Sequence, residues 1–360
     1  KKPSGVWIMA YTTIDDPTLH FRVKAYTGNG TNDTAYTWDE THANMQPDWL
    51  WFKNRDENQS HAVFDSVRGA TLRLVANETG AEGTENTNLD SFDSNGFTVD
   101  NELIVNGSSD KMVVWGWKAG GSASSNSDGS VTTSVSANTT AGFSIVSYTG
   151  TGSVGTFGHG LGAKPNVMIQ KKRSGSAAWT VYHDKVASDP ATDYLYLNSS
   201  AAAGDYADHF NDTEPTSSLF TLGTDTSVNG SSATNIMYCF AEKKGYSKFG
   251  SYQGNGNANG TFVYTGFRPA WLMVKRTSGS YNWGMFDNKR NTSNLTNLFL
   301  AADGSEAEIT TTSYPFDFYS NGFKVRGTGG GGNADGETYL FFVFAESPFT
   351  NSSGVPNNAR

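Results

Sequence analysis

A seven-residue segment that recurs three times constrains this chain more than any other feature. Pro47-Asp48-Trp49-Leu50-Trp51-Phe52-Lys53, Pro165-Asn166-Val167-Met168-Ile169-Gln170-Lys171 and Pro269-Ala270-Trp271-Leu272-Met273-Val274-Lys275 each open on proline and close on lysine. Between the two stand mostly apolar, β-favouring residues, and proline is tolerated at the first residue of a strand. The copies stay in register beyond this strand. An aromatic with a polar partner follows at Phe64-Asp65, Tyr182-His183 and Phe286-Asp287, and a tyrosine with a glycine turn precedes at Tyr26, Tyr148 and Tyr252. Each copy closes on two aromatics with one residue between them, Trp115 and Trp117, Tyr238 and Phe240, Phe342 and Phe344. Turn signals stand before the closing strands at Asn106-Gly107, Asn229-Gly230 and Asp335-Gly336, because Asn-Gly and Asp-Gly supply the positive φ of tight turns. Strand alternation puts both aromatics of a pair on one face, expected to point inward. A period of roughly one hundred residues is domain-sized, far above the 20 to 50 of solenoid repeats.

The 360 residues therefore divide into an N-terminal connector (1–20), a first repeat (21–119), a Gly/Ser/Thr linker (120–141), a second repeat (142–245) and a third with a C-terminal tail (246–360). Forty glycines and 22 phenylalanines, with no long helical pattern, predict an all-β chain of sandwiches or barrels. The join from Glu242 to Phe249 is short, so the second and third units are expected to touch in a fixed arrangement. The linker composition leaves the first unit free to swing. Within that linker, Val131-Thr132-Thr133-Ser134-Val135-Ser136 alternates as an edge strand would.

A net charge of −9 argues against a nucleic-acid partner, which calls for clustered Lys and Arg. The basic runs Lys171-Lys172-Arg173 and Lys275-Arg276 read as charged strand ends that discourage aggregation. The single cysteine, Cys239, rules out an internal disulfide framework, and it stands where the other copies have Gly116 and Val343, as a small strand residue. No apolar run approaches the roughly 18 residues of a membrane span, so no membrane insertion is expected.

Catalysis would show as polar groups of fixed type at matching positions. The column Asp65, His183 and Asp287 changes type in the middle copy, and Glu242 and Glu346 are matched by Ala119. No catalytic residue is expected, and the facing carboxylate pair of glycoside hydrolysis is missing from the pattern. His159, His183 and His209 lack a zinc-ligand spacing. Asp205, Asp208, Asn211 and Asp212 gather oxygen ligands of the kind that loops offer to Ca2+, although such residues are also ordinary in loops. Trp179, Trp271 and Trp283 are candidate platforms for carbohydrate, with core packing as the competing reading, since Trp271 lies inside an apolar strand.

Several stretches resemble a family of repeated domains in virion-associated proteins of marine bacteriophages. In the second unit these are Gly142-Phe143-Ser144-Ile145-Val146-Ser147-Tyr148 and Gly158-His159-Gly160-Leu161-Gly162. Tyr238-Cys239-Phe240-Ala241-Glu242, Gly245-Tyr246-Ser247-Lys248-Phe249 and Phe344-Ala345-Glu346-Ser347-Pro348-Phe349 extend the likeness, whereas the first unit lacks the His-Gly-Leu-Gly turn and the Ala-Glu ending. The resemblance implies three tandem concanavalin-like or jelly-roll β-sandwich domains on the virion surface. It implies a tail fibre or adhesin region that binds host cell-surface polysaccharide. Its alternatives are a structural head-decoration or fibre protein in contact with other virion proteins, and a polysaccharide-degrading tail enzyme. Three copies suggest a threefold arrangement, either a homotrimer or one chain that mimics a trimer about a pseudo-threefold axis.

Overall fold

A computed structural model of the chain describes residues 11–39 and 41–358. Residues 1–10 of the expected connector lie outside the described residues. The protein is all-β; among the described residues helix is confined to single turns at Pro17–Leu19, Leu103–Asn106 and Thr226–Asn229.

Three large antiparallel sheets repeat one strand order. In the first unit the order is Phe21–Thr27, Lys111–Trp117, Trp49–Asn54, Ala62–Asp65, Gly69–Val75, Gly83–Thr84. In the second it is Phe143–Thr149, Thr234–Phe240, Val167–Lys172, Thr180–His183, Asp193–Tyr196, Gly204–Asp205. In the third it is Ser247–Gln253, Thr338–Pro348, Phe267–Arg276, Gly284–Asp287, Leu298–Ala301, Ile309–Thr310. We call the first three of each the opening, closing and lysine strands. Register repeats as well: Trp117 faces Trp49, Phe240 faces Val167, and Phe344 faces Trp271.

A small sheet accompanies each large one. Its strands are Thr34–Thr37, Gly96–Val99 and Leu89–Asp93 in the first unit, Gly155–Gly158 and Leu219–Leu222 in the second, and Phe262–Tyr264, Gly322–Val325 and Phe316–Tyr319 in the third. Side chains from both sheets of a unit form a core, for example Leu50, Phe52 and Phe97 in the first and Leu272, Phe286 and Phe323 in the third. The arrangement is β-sandwich-like.

The opposite faces of the three large sheets meet in one central core, and this is where the closing aromatics go. They were expected to point inward, and they do so with respect to the whole molecule, not into the core of their own unit. Val114, Cys239 and Phe341, from the alternate positions, fill the unit cores instead. A strand buried on both faces has no polar side to show, which is why these strands read as nearly continuous apolar runs. Trp49 stacks on Tyr238 at 4.5 Å, Phe21 on Phe344 at 5.1 Å, and Trp117 meets Trp271 edge-on at 5.7 Å.

The first unit is therefore clamped against both others, and the expected freedom to swing is overturned. Separation would expose this apolar face at about 25 cal/mol per Å². The stretch read as a linker carries two strands, Ser124–Asn126 and Thr133–Asn138, and the latter pairs along the opening strand of the second unit. Its sequence alternation was the informative signal and its composition the misleading one. Ahead of the first repeat, Tyr11 and Thr12 hydrogen-bond the carbonyls of Gly266 and Lys244, and Ile14 enters the central core.

Candidate binding cleft between the first and third units

The three joints share a cyclic set of contacts. Trp179 Nε1 of the second unit donates to Val75 O of the first at 2.8 Å, and Trp283 Nε1 of the third donates to Tyr196 O of the second at 3.0 Å. At the corresponding place His61 Nε2 of the first unit lies 2.9 Å from Ala301 O of the third. Trp51 Nε1 donates to His61 Nδ1, which leaves Nε2 to carry the proton that Ala301 receives.

Trp179, Trp271 and Trp283 are thus in the central core, each at most 2 % exposed. Their indoles are packed inside that core and leave no face for a sugar ring, so the expectation that they are carbohydrate platforms is corrected. The repeated lysines are corrected as well. Lys53, Lys171 and Lys275 are fully buried, although the runs that begin at Lys171 and Lys275 were expected to be charged strand ends. Lys171 Nζ donates to Ala177 O of its own turn and Thr79 O of the first unit, and Lys275 Nζ to Tyr281 O and Ser200 O of the second. Burial pulls all three ammonium groups down to about 8.

The column Asp65, His183 and Asp287 is fully buried, not on turns at the surface. Asp65 pairs with Arg68 at 2.5 Å and accepts from Tyr238 OH of the second unit at 2.7 Å. Asp287 pairs with Arg290 at 2.5 Å and accepts from Trp115 Nε1 of the first unit at 3.2 Å. His183 instead meets Phe342 of the third unit edge-on at 5.1 Å, and burial pulls its imidazole down to about 4. These groups hold units together.

Asp205 ends the edge strand Gly204–Asp205 and Asp208, Asn211 and Asp212 follow in the loop after it, and among the described residues Asp205, Asp208 and Asp212 do not converge as a set of carboxylates. Among the described residues the carboxylates that converge are Asp33, Asp90 and Asp100, with oxygens within 4.8 Å of one another. Asp33 N donates to Asp100 Oδ1 at 3.0 Å, and partial burial together with the Asp100 and Asp33 charges raises the Asp90 carboxyl. An all-oxygen set of this kind suits a hard cation. Sequence spacing hid it, since the three residues come from separate strands and loops. Cys239 is buried in the second unit's core, and burial pushes its thiol up, away from the reactive thiolate.

An open cleft of about 210 Å³ lies where the first unit's opening strand faces the third unit's lysine strand. Arg22, Trp38, Asp39, Arg268, Lys289 and Glu346 supply its chemistry, and Phe21, Val23 and Ala270 an apolar wall. A second recess of about 200 Å³ adds Lys24 and shares Val23, Trp38, Asp39 and Lys289, so the two form one groove. Arg22 is 3 % exposed at its side chain; its Nε donates to Thr18 O at 2.7 Å and its Nη2 to Ala43 O. Its Nη1 has no hydrogen-bond partner and stands 3.9 Å from Asp39. Burial raises the Asp39 carboxyl, but hydrogen bonds from His42 and Thr41 outweigh this and leave it firmly ionised. Burial lowers the Lys24 ammonium, Asp39 opposes that, and nearby Lys289 adds to it. Arg268 Nε pairs with Glu346 at 3.0 Å.

Local sequence explains the wall. Trp38 is pinned by Nε1 donating to Met45 O at 2.9 Å, and its ring lies over Gly116 of the closing strand. A Cβ at position 116 would come within 2.6 Å of that ring, which accounts for glycine where the other units carry Cys239 and Val343. The groove is open because the first unit's opening strand is a sheet edge; in the second unit Thr133–Asn138 occupies that edge. Sequence reasoning missed the groove, because its residues come from five distant stretches.

Fold and groove together define an all-β protein built around a threefold core, with a small charged cleft at one joint. The chain belongs to the family described as Domain of unknown function (DUF7483), whose model matches residues 16–348. That single match runs across all three units, so the family's domain is the whole assembly, not one repeat. No curated protein matches the chain.

Proposed function

We propose that the chain is a non-catalytic recognition module of a phage particle, a tail fibre or adhesin region at the virion surface that binds host surface glycan. The resemblance of residues 142–349 to virion-associated domains motivates the setting. The cleft between the first and third units carries the reading: it is preformed, partly apolar and lined by both donors and acceptors, as sites for small polar ligands are. The same proposal takes the three units as tandem concanavalin-like or jelly-roll sandwiches whose one-chain ring replaces a homotrimer. The repeated strand order and the cyclic joint contacts support this. The buried roles of Asp65, His183 and Asp287 support binding over hydrolysis.

A second reading, a structural virion protein, is favoured by one observation. Phe262 and Tyr264 stand 45 % and 48 % exposed on the third unit's small sheet, with Tyr319 at 6.0 Å from Phe262. Adjacent exposed aromatics of this kind mark contact surfaces. The experiment is binding of the purified chain to intact host cells, with and without competing surface polysaccharide. Saturable binding that polysaccharide abolishes is expected. A folded chain that binds no susceptible host, and instead associates with particle components through Phe262 and Tyr264, would replace the adhesin with the structural protein.

A further inference from the structure

We infer that the groove between the first and third units takes an acidic sugar, a pyranose ring bearing a carboxylate, as one unit of an anionic polysaccharide. This rests on the adhesin reading and names its ligand class.

The charge balance of the groove points to an anion. Arg22, Lys24, Arg268 and Lys289 bring four cations to the two connected recesses, against the carboxylates of Asp39 and Glu346. Glu346 is engaged by Arg268, and Asp39 is tied to His42 and Thr41. The local surplus is positive on a chain whose net charge is −9. The buried Arg22 Nη1 has an ion pair with Asp39 at 3.9 Å but no hydrogen bond, and a carboxylate is the acceptor that a guanidinium's planar fork matches. Burial lowers the Lys24 ammonium and the nearby Lys289 charge adds to that, a repulsion that a bound anion relieves.

The remaining lining selects a sugar over a bare anion. Asp39 and Glu346 are acceptors that suit hydroxyl groups, and the outer edges of Val23, Ala270 and the fixed Trp38 add a small apolar part of the wall for ring C–H groups. The volume of about 210 Å³ lies below the roughly 300 to 1,000 Å³ of pockets that engulf drug-sized ligands. One pyranose fits such a space. The open side lets the polymer continue on both sides of it.

The test titrates the full chain with a galacturonate hexamer, a glucose hexamer from dextran, and sodium sulfate at matched ionic strength. Binding of the galacturonate hexamer alone is expected, weakening with salt. Lys289→Glu should weaken it at least tenfold; Lys289 is exposed, so folding is retained, and Lys24→Glu provides a second variant on the neighbouring recess. Equal binding of the neutral hexamer, unchanged in both variants, would overturn the anionic ligand while leaving the glycan-binding reading in place. Sulfate binding as tightly as the sugar acid would overturn the sugar part. A wild-type chain that ignores the galacturonate hexamer overturns the inference outright. If that chain still adheres to host cells and Lys289→Glu adheres equally, the adhesin reading survives elsewhere on the surface; if it adheres to none, both fall.

Discussion

At the joint of the first and second units, Asp65, Arg68 and Glu82 of one meet Arg173 of the other in an unbroken run of opposite charges. The joint of the third and first repeats it with Asp287, Arg290, Glu308 and Arg55. At the joint of the second and third the same places hold His183, Val186, Ala203 and Thr277. The backbone contact is nonetheless unchanged: Glu82 N donates to Arg173 O, Glu308 N to Arg55 O, and Ala203 N to Thr277 O. The partner across the joint changes too. Tyr238 and Trp115 donate hydrogen bonds to the aspartates, whereas Phe342, which has no donor, packs on His183. The charges are present as a set or replaced as a set. That is what burial demands, because one unpaired buried charge costs far more than a complete pair contributes.

The sharpest way to break this comparison is to remove one member. Asp287→Ala leaves Arg290 buried without its carboxylate and should cost about 3–5 kcal/mol in urea unfolding. Replacing the whole set with its neutral counterpart (Asp287→His, Arg290→Val, Glu308→Ala and Arg55→Thr together) should cost clearly less than that single change. A fourfold variant weaker than Asp287→Ala would show that the charges act independently, contrary to the comparison.

Acid should find the neutral joint. Burial pulls His183 down to about 4 from its ordinary 6.5, with Asp184 opposing and Lys185 assisting, so the folded protein keeps the ring neutral where the unfolded chain protonates it. The unfolded state binds the extra proton between these values, so stability is complete above about pH 6.5 and falls as pH drops towards 4, by about 3 kcal/mol at most. His61, pulled down to about 3 by burial, adds a loss in the same direction. His183→Asn, whose side chain has an acceptor for Lys185 N, should flatten part of this dependence in thermal unfolding between pH 4 and 7. An unchanged profile would remove His183 from the account.

Smaller effects sharpen the picture. Tyr238→Phe takes one donor from buried Asp65 and should cost about 1–2 kcal/mol, measured by the same urea titration. Breaking the exposed pair of Lys164 and Glu214 with Lys164→Ala should change stability by no more than about 0.5 kcal/mol, since solvent already screens it. If the two changes cost the same, burial would not be what gives the joint charges their weight.

Much of the fold was legible because duplication leaves a period, and strands leave alternation. The three lysine strands and the closing aromatics fall where their patterns placed them, but the Asn-Gly turns do not: Asn106 and Asn229 end single helical turns, Gly107 and Gly230 have negative φ, and the positive φ falls at Ser109 and Ser232, whereas Gly336 has it as expected. The joints were not legible. Lysine is among the least buried residue types, so Lys171 and Lys275 read as surface charge until their carbonyl partners in another unit were seen. Trp179 and Trp283 were singled out, but an indole that stacks on sugar and one that donates across a buried joint look alike in sequence. The segment at 120–141 had the composition of a linker, and only the Val131 to Ser136 alternation signalled a strand.

By itself, the sequence determined three copies of one β unit, their lysine strands and the apolar closing strands, because local periodicity acts over a few residues, whereas the order of strands in each sheet came from the structure. The tertiary structure alone decided that the three units close into a ring, which charges are buried together, and that Arg22, Trp38, Arg268 and Lys289 meet in one groove. Those outcomes depend on surfaces brought together from distant parts of the chain, where burial and electrostatic pairing, which no local pattern encodes, select the arrangement.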